Sequence, residues 1–556
     1  MYARCHFCPG TDPKPFFPLT KIAPNMSELV HDLIAASARR TPEKVALVYQ
    51  KQFVTFAALD HSVSAAATLF LARGLQKSER VATFLEKRVE NIVGMFGATR
   101  AGGVFVPINP LLKGEQVVHI MNDCNVRVLV TSLDRLNLLA PYVKNCPDLR
   151  AVIVVDRGSN AMPEFANLTV IEWENGLAPV PGQPCHRVID GDMAAILYTS
   201  GSTGKPKGVV LSHRNIVAGA KSVAQYLELT SDDRILSVLP LSFDYGLNQI
   251  TTAFLVGATA VLMNYLFPRD VIKAVAEEKI TGLAAVPPLW VQLAQLPWPA
   301  AVSDHLRYIT NSGGHMPEPT LKALRQALPK SKPFLMYGLT EAFRSTYLPP
   351  DQVEKRPDSI GKAIPDAEIL VVREDGTECA ADEPGELVHR GVHVSLGYWN
   401  DVEKTAERFK PAPGQLSGLV MPEMAVWSGD TVKRDGEGFL YFIGRRDEMI
   451  KTSGYRVSPT EVEEVVYATG LVSEAAAFGV AHPTLGQAIV VVVMPKSSQQ
   501  WSPEALLAAA KTELPAFMVP HKIIVSTESL PRNPNGKIDR KALAQSAQDL
   551  NEVAKA

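Results

Sequence analysis

Residues 198–213 read YTSGSTGKPKGVVLSH, a stretch whose side chains could hold an anion. Thr199, Ser200, Ser202 and Thr203 offer hydroxyls, Gly201, Gly204 and Gly208 free the backbone, and Lys205 and Lys207 add positive charge. Glycine lets successive N–H groups converge into a concave seat for an anion, so the composition suits a polyphosphate. The P-loop of kinases and ATPases needs G-x-x-x-x-G-K-[ST] running straight into a helix. Here Pro206 follows Lys205, which removes an N–H and disfavours helix at the residue before it. A solvated Gly/Ser hairpin loop is the plain alternative, and the rest of the chain has to decide between them.

Four further segments carry chemistry. YGLTE at 337–341 sets an aromatic face, a glycine, a hydroxyl and a carboxylate within five residues, enough to stack a base, touch a phosphate and bind Mg²⁺. WSGD ends in Asp430, a carboxylate able to take both hydroxyls of a ribose, and GRRDEMIKTSGYRV at 444–457 offers Arg445 as a second ribose or phosphate ligand. LPRNPNGKIDR holds Lys537 in a Pro/Asn/Gly turn near the chain end. Taken singly, YGLTE is an ordinary polar turn and Lys537 a solvated surface lysine.

These stations need a scaffold, and the pattern predicts one. The apolar runs 193–198 and 208–211 bracket the hydroxyl-rich loop as two strands. Amphipathic helical patterns alternate with short β-branched strands, as in 90–100 followed by 103–107, which argues for α/β architecture with mainly parallel sheets. The apolar window 250–267 is divided by Gly257 and interrupted by Thr251, Thr252, Thr259 and Asn264; it reads as a buried helix turning into a buried strand rather than a transmembrane span. Charge and glycine density rise around 444–459 as at a domain junction, and 461–525 reads as a separate α+β unit. With 556 residues, 46% of them hydrophobic, the chain has room for two to four domains. A formal net charge of −2 gives no reason to expect nucleic acid or an anionic membrane as a partner. Six cysteines in this length form no secreted disulfide framework, and a reducing cytoplasm suits them better. Cys5 and Cys8 make a CHFC pair, but no second pair follows at zinc-finger spacing. The first 25 residues lack the features of a signal peptide; they are Pro-rich and expected to be poorly ordered.

In this order and over this distance, YTSGSTGKPKG, YGLTE, WSGD, GRRDE and NPNGK resemble the adenylate-forming enzymes: acyl-CoA ligases, adenylation domains of nonribosomal peptide synthetases, and firefly luciferase. At closer range the chain is similar to acyl-CoA ligases associated with exosortase protein-sorting systems. The resemblance implies a division into a leader (1–26), an AMP-binding domain (27–446), a small mobile C-terminal domain (447–541) and a tail (542–556). It implies that Thr199, Ser200, Gly201, Ser202, Thr203, Gly204 and Lys207 close over the β- and γ-phosphates of ATP. Tyr337 and Gly338 would flank adenine, Gly313 and Gly314 let backbone approach adenine and acyl group, and Thr340 contact the α-phosphate. Glu341 would ligate Mg²⁺, Asp430 the ribose with Arg445 close by, and Lys537 the reacting oxygens. Asp447 matches the family's hinge, and Ser453, Gly454 and Tyr455 would face a pantetheine thiol, of CoA or a carrier protein, in the second half-reaction. A silent nucleotide sensor and a luciferase-type oxygenase could share the ATP motifs; intact Lys537, Glu341 and Asp430 speak against the first.

One segment departs from the acyl-CoA ligase pattern. Where many of those enzymes carry P-L-F-H-x-x-G, this chain has PLSFDYG, with Phe243 at the histidine position and Asp244 after it. A Phe-Asp pair here resembles the amino-acid-activating domains, whose aspartate pairs with the substrate's α-ammonium. The same match puts Tyr245, Asn248, Met336, Arg344 and Ser345 around the side chain of a small carboxylic or amino acid. The expectation is that Asp244 receives a substrate amine, the alternatives being that a protein cation such as Arg344 pairs with it, that it protonates, or that it turns into solvent at the end of a strand.

Overall fold

A computed structural model of the chain describes residues 28–165, 168–176, 185–199, 206–414, 418–445, 448–452, 455–482, 485–496, 502–514, 516–533 and 536–553. The leader, Ser200 to Lys205 of the hydroxyl-rich loop, Asp447, Ser453 and Gly454 lie outside them.

Two large sheets form the N-terminal part, as the α/β pattern predicts. One has seven strands, all parallel except the pairing of Met193–Thr199 with Lys207–Ser212. That hairpin flanks the hydroxyl-rich loop, so the segment after Pro206 is strand and not the helix of a P-loop. Strands such as Ala151–Val155 (AVIVV) are buried at every residue, because helices cover both faces and leave no solvent side to be polar. In the second sheet, strands Val45–Tyr49, Thr259–Leu262, Arg234–Ser237, Gly282–Ala285, Tyr308–Asn311 and Lys332–Tyr337 run parallel side by side. Antiparallel strands continue it through Thr346–Leu348 to Leu440–Arg445 and Met424–Arg434.

Local sequence sets the element ends. Ser212 and Asn215 form a reciprocal capping box, the Asn215 N–H donating to Ser212 Oγ and the Ser212 N–H to Asn215 Oδ1. Helix His213–Tyr226 therefore starts where the second hairpin strand ends. Helix Asp244–Val256 is buried from Asp244 to Leu255 and stops at Gly257, whose φ of 79° lets the chain reverse into the buried strand Thr259–Leu262. The window 250–267 is thus the interior helix and strand its composition suggests.

The C-terminal part is α+β. Strands Val472–His482 and Gly486–Pro495 form a long antiparallel pair, and both Lys522–Val525 and Ile450–Thr452 pair along the other edge of Gly486–Pro495. Helices Pro459–Ala468 and Pro503–Glu513 share one core with it. Helix Arg540–Val553 buries Leu543 and Ala547 against Ala476, Phe478 and Val490. The sequence boundary at 541 cuts this helix, whose apolar face belongs with the small sheet.

Candidate active site

The sequence stations meet at one cleft of about 2060 Å³ between the large sheets and the C-terminal unit. Tyr337 ends a parallel strand and Thr340 and Glu341 follow it, where α/β folds present ligand groups, whereas Asp430 comes from within an antiparallel strand.

Strand Lys332–Tyr337 delivers Tyr337 and leads into the short 3-10 turn Thr340–Ala342. Strands Met424–Arg434 and Leu440–Arg445 pair so that Asp430 stands opposite Arg445, which explains why a separation of fifteen residues still makes neighbours. Arg445 Nε lies 3.1 Å from Asp430 Oδ1, and the Tyr337 hydroxyl donates to Asp430 Oδ2. The Asp430 charge raises the Arg445 pKa and keeps that guanidinium cationic. Tyr337, Gly338, Asp430 and Arg445 all line the cleft.

Lys537 enters from the C-terminal unit. The Asn533 side chain accepts the Lys537 N–H at 3.1 Å, and the Asn533 N–H donates back to the Lys537 carbonyl at 2.8 Å. This fastens the turn and sends the lysine into the cleft. A Cβ built on Gly313 would lie 3.4 Å from Lys537 Cε, and Gly313 has φ of 82°, so a side chain there would be strained and would crowd the lysine. Burial, then Arg445, push the Lys537 pKa down, while Asp244 and Asp430 oppose them. The lysine thus sits where burial and one guanidinium act against its charge and the carboxylates act for it.

Asp244 has a partner. Arg344 Nη1 donates to Asp244 Oδ2 at 2.9 Å with the two side chains 2% and 4% exposed, and Thr340 Oγ1 donates to Asp244 Oδ1 at 3.2 Å. The Arg344 guanidinium also lies 4.8 Å from the Tyr245 ring centre. Burial pushes the Asp244 carboxyl up, and Arg344 is the first charge opposing it. Phe343 sets this arrangement: its φ is +56° and ψ −46°, a strained combination for a side chain. Its buried ring packs where a Cβ on Gly219 would come within 2.2 Å. The kinked backbone turns Arg344 inward.

Phe243, Asp244, Met336 and Arg344 border the cleft as expected, but Tyr245, Asn248 and Ser345 do not. Asp244 opens a helix buried all round, so the residues after it enter the protein interior. The Tyr245 hydroxyl meets Thr310 Oγ1 at 2.5 Å, and Ser345 Oγ meets His389 Nδ1 at 3.0 Å.

The phosphate end keeps Thr199 and Lys207 on the cleft wall, with Ser200, Gly201, Ser202, Thr203 and Gly204 outside the described residues. Glu341 faces the same region and accepts a hydrogen bond from the Tyr398 hydroxyl at 2.6 Å. Sequence reasoning missed Tyr398, Arg408 and Phe343; GYWN at 397–400 is the only signal that could have pointed to the first. No group of three or more His, Cys, Asp or Glu side chains is placed to hold a metal among the described residues. A single carboxylate facing a cleft suits Mg²⁺, which takes one or two protein oxygens and completes its shell with phosphate and water. No helix among the described residues is long and apolar enough to cross a membrane.

The family model described as AMP-binding enzyme matches residues 34–399, and that of the AMP-binding enzyme C-terminal domain matches 461–537. Gramicidin S synthase 2 of Aneurinibacillus migulanus is 27% identical over 529 residues, 95% of this chain but 11% of the relative. Tyrocidine synthase 1 of Brevibacillus parabrevis is 28% identical over 522 residues, covering 93% of this chain and 45% of its own length. The chain therefore spans less than half the length of these curated relatives. Among solved structures, an anthranilate CoA ligase in complex with anthranoyl-AMP superposes with TM-score 0.83 at 24% identity, covering 94% of this chain and 98% of that one. The o-succinylbenzoate coenzyme A synthetase of Bacillus subtilis, in complex with ATP and magnesium, gives TM-score 0.76 at 26% identity over 92% and 98%.

Proposed function

The chain belongs to the AMP-binding enzymes, an adenylate-forming family, and from that premise we propose that it activates a carboxylic acid lacking an α-amine. The product of the first step is an acyl adenylate, which is then passed to a pantetheine thiol of CoA or of a carrier protein. The observation that carries the choice of substrate is the buried Asp244–Arg344 pair. A carboxylate in need of a cation would favour an amino acid, and here Arg344 supplies that cation from within the protein.

The first half-reaction brings a carboxylate to the α-phosphate of ATP and expels pyrophosphate. Two anions must meet, so the protein's part is alignment and charge neutralisation. Lys537 would straddle the attacking carboxylate and the phosphate oxygens, its point charge aimed at the negative charge that develops there. Thr340 would contact the α-phosphate, Asp430 and Arg445 the ribose, and Tyr337 with Gly313, Gly314 and Gly338 the base. Bound with the nucleotide and held by Glu341, Mg²⁺ supplies further neutralisation of phosphate charge. We assign 27–446 and 447–541 as the moving units, hinged at Asp447, with the helix beyond 541 travelling with the second. Rotation would withdraw Lys537 and bring Ser453, Gly454 and Tyr455 to the thiol.

Acid-dependent ATP–pyrophosphate exchange with matched pairs, each amino acid beside its deaminated analogue, tests the proposal. Exchange with members of the deaminated set and none with amino acids is expected. Exchange confined to amino acids would overturn the substrate class and favour loading of an aminoacyl group onto a carrier protein, the alternative that the Phe-Asp pair suggests.

A further inference from the structure

Tyr398 stands between three parts of the phosphate end that no sequence motif connects. Its hydroxyl donates to Glu341 Oε1 at 2.6 Å, and Lys207 Nζ lies 5.6 Å from its ring centre. Arg408, on the cleft wall, is the first opposing charge on the same hydroxyl. The ring itself is anchored independently of these groups. The Tyr398 N–H donates to Thr405 Oγ1 at 3.0 Å, and Phe409 meets the ring edge-on at 5.7 Å. The flanking backbone adds an edge to the hairpin that carries the hydroxyl-rich loop: the Val210 N–H donates to the Gly397 carbonyl, and the Leu396 and Trp399 N–H groups donate to Val210 and Gly208. The Ser395 N–H donates to the Glu341 carbonyl at 2.8 Å. Glu341 is thus gripped at backbone and carboxylate by one segment that is also stitched to the loop stem.

We propose that Tyr398 is a positioning residue that fixes the Glu341 carboxylate, occupying Oε1 so that the other oxygen is presented toward the metal-bound phosphates of ATP. A carboxylate on a free rotor would lose orientational freedom on meeting a cation. One held by a donor on an anchored ring has already lost it, and outer hydrogen bonds of this kind change metal affinity by about 10–100-fold. The hydroxyl is a separable element, since ring anchorage and backbone pairing do not involve it.

The inference rests on the nucleotide reading above, and its test separates the two. ATP binding is measured by calorimetry on the full chain, with and without Mg²⁺, for wild type, Tyr398→Phe, Glu341→Gln and the double variant. Wild type should bind ATP more tightly with Mg²⁺ than without. Tyr398→Phe should lose about tenfold of affinity for MgATP while metal-free ATP binds as before, and should add nothing once Glu341 is Gln. In turnover the same variant should raise KM for MgATP and leave KM for the acid unchanged. Absence of ATP binding by wild type would sink the nucleotide reading itself. Wild-type Mg²⁺ dependence in Tyr398→Phe, an equal loss with and without metal, or additive effects in the double variant would overturn the role given to Tyr398.

Discussion

Lys537 is the residue on which adenylation should depend most. Removing a charge held against a developing phosphate anion costs roughly 3–4 kcal/mol, a factor of hundreds in rate. Lys537→Ala should therefore lose adenylate formation while still transferring a pre-made adenylate to thiol, measured as separate half-reactions; equal loss in both would make the lysine structural. Burial lowers its pKa from 10.5, and the reaction needs the protonated form. Adenylation should accordingly fall on the alkaline side earlier than an ordinary lysine would allow, and Lys537→Arg should remove that limb from the pH profile. Arg344→Ala should be damaging for another reason. It strands Asp244 at 4% exposure without its cation, which costs about 3–5 kcal/mol and should appear as a lower denaturation midpoint. A variant as stable as wild type would contradict the pairing. Lys537, Glu341 and Asp430 were legible because each sits in a short motif of distinctive composition. Tyr398 was not, since an aromatic in a loop is ordinary and its role exists only through a contact spanning 57 positions. The fate of Asp244 was equally hidden: sequence could place Arg344 nearby but could not show that the kink at Phe343 turns it inward.

Secondary structure was more legible than its consequences. The hairpin around the hydroxyl-rich loop and the buried helix ending at Gly257 follow from apolar runs and glycine. What periodicity could not supply is which face of helix Asp244–Val256 meets the cleft, because the helix is buried nearly all round, its polar residues Asp244, Asn248, Gln249, Thr251 and Thr252 included. Tyr245 and Asn248 accordingly lie off the cleft wall. Helix His213–Tyr226 offers a direct test of how elements shape the site. It presents Gly219 to the Phe343 ring, with room for no further carbon. Gly219→Ala should push the ring, and with it the segment from Thr340 to Arg344, at about 1–3 kcal/mol of stability. Adenylation should fall further than the loss of folded protein explains. Unchanged exchange activity and thermal midpoint would show that the packing does not hold the site.

The whole molecule poses a question of how two units share one cleft. Across the cleft, His315 Nε2, next to the paired glycines, lies 3.4 Å from Glu464 Oε1 on helix Pro459–Ala468. Burial first, then the charges of Asp358, Glu461, Glu463 and Glu318, push the Glu464 carboxyl from 4.5 up to about 7. An acid raised in one arrangement favours it fully below its ordinary pKa and loses that contribution as pH rises through the raised value. The arrangement with Lys537 in the cleft should therefore lose population as pH rises through about 7, with burial of the His315 ring, which lowers its pKa, opposing it only on the acid side. Glu464→Gln should flatten the loss on the alkaline side. Fluorescence energy transfer between labels on the two units would read this, and a pH-independent distance in wild type would contradict it. The division of the chain into a large α/β part and a small α+β part was visible in the alternation of patterns and the rise of charge and glycine at 444–459, whereas this contact joins residues 149 positions apart with no motif in common. Phosphorus NMR of the products bears most directly on what the molecule does as a whole. With a carboxylic acid, a pantetheine thiol and MgATP, AMP and pyrophosphate should accumulate together, only when the acid is present, and far more slowly in Lys537→Ala; formation of ADP and phosphate, or AMP formation without any acid, would contradict adenylation at this cleft.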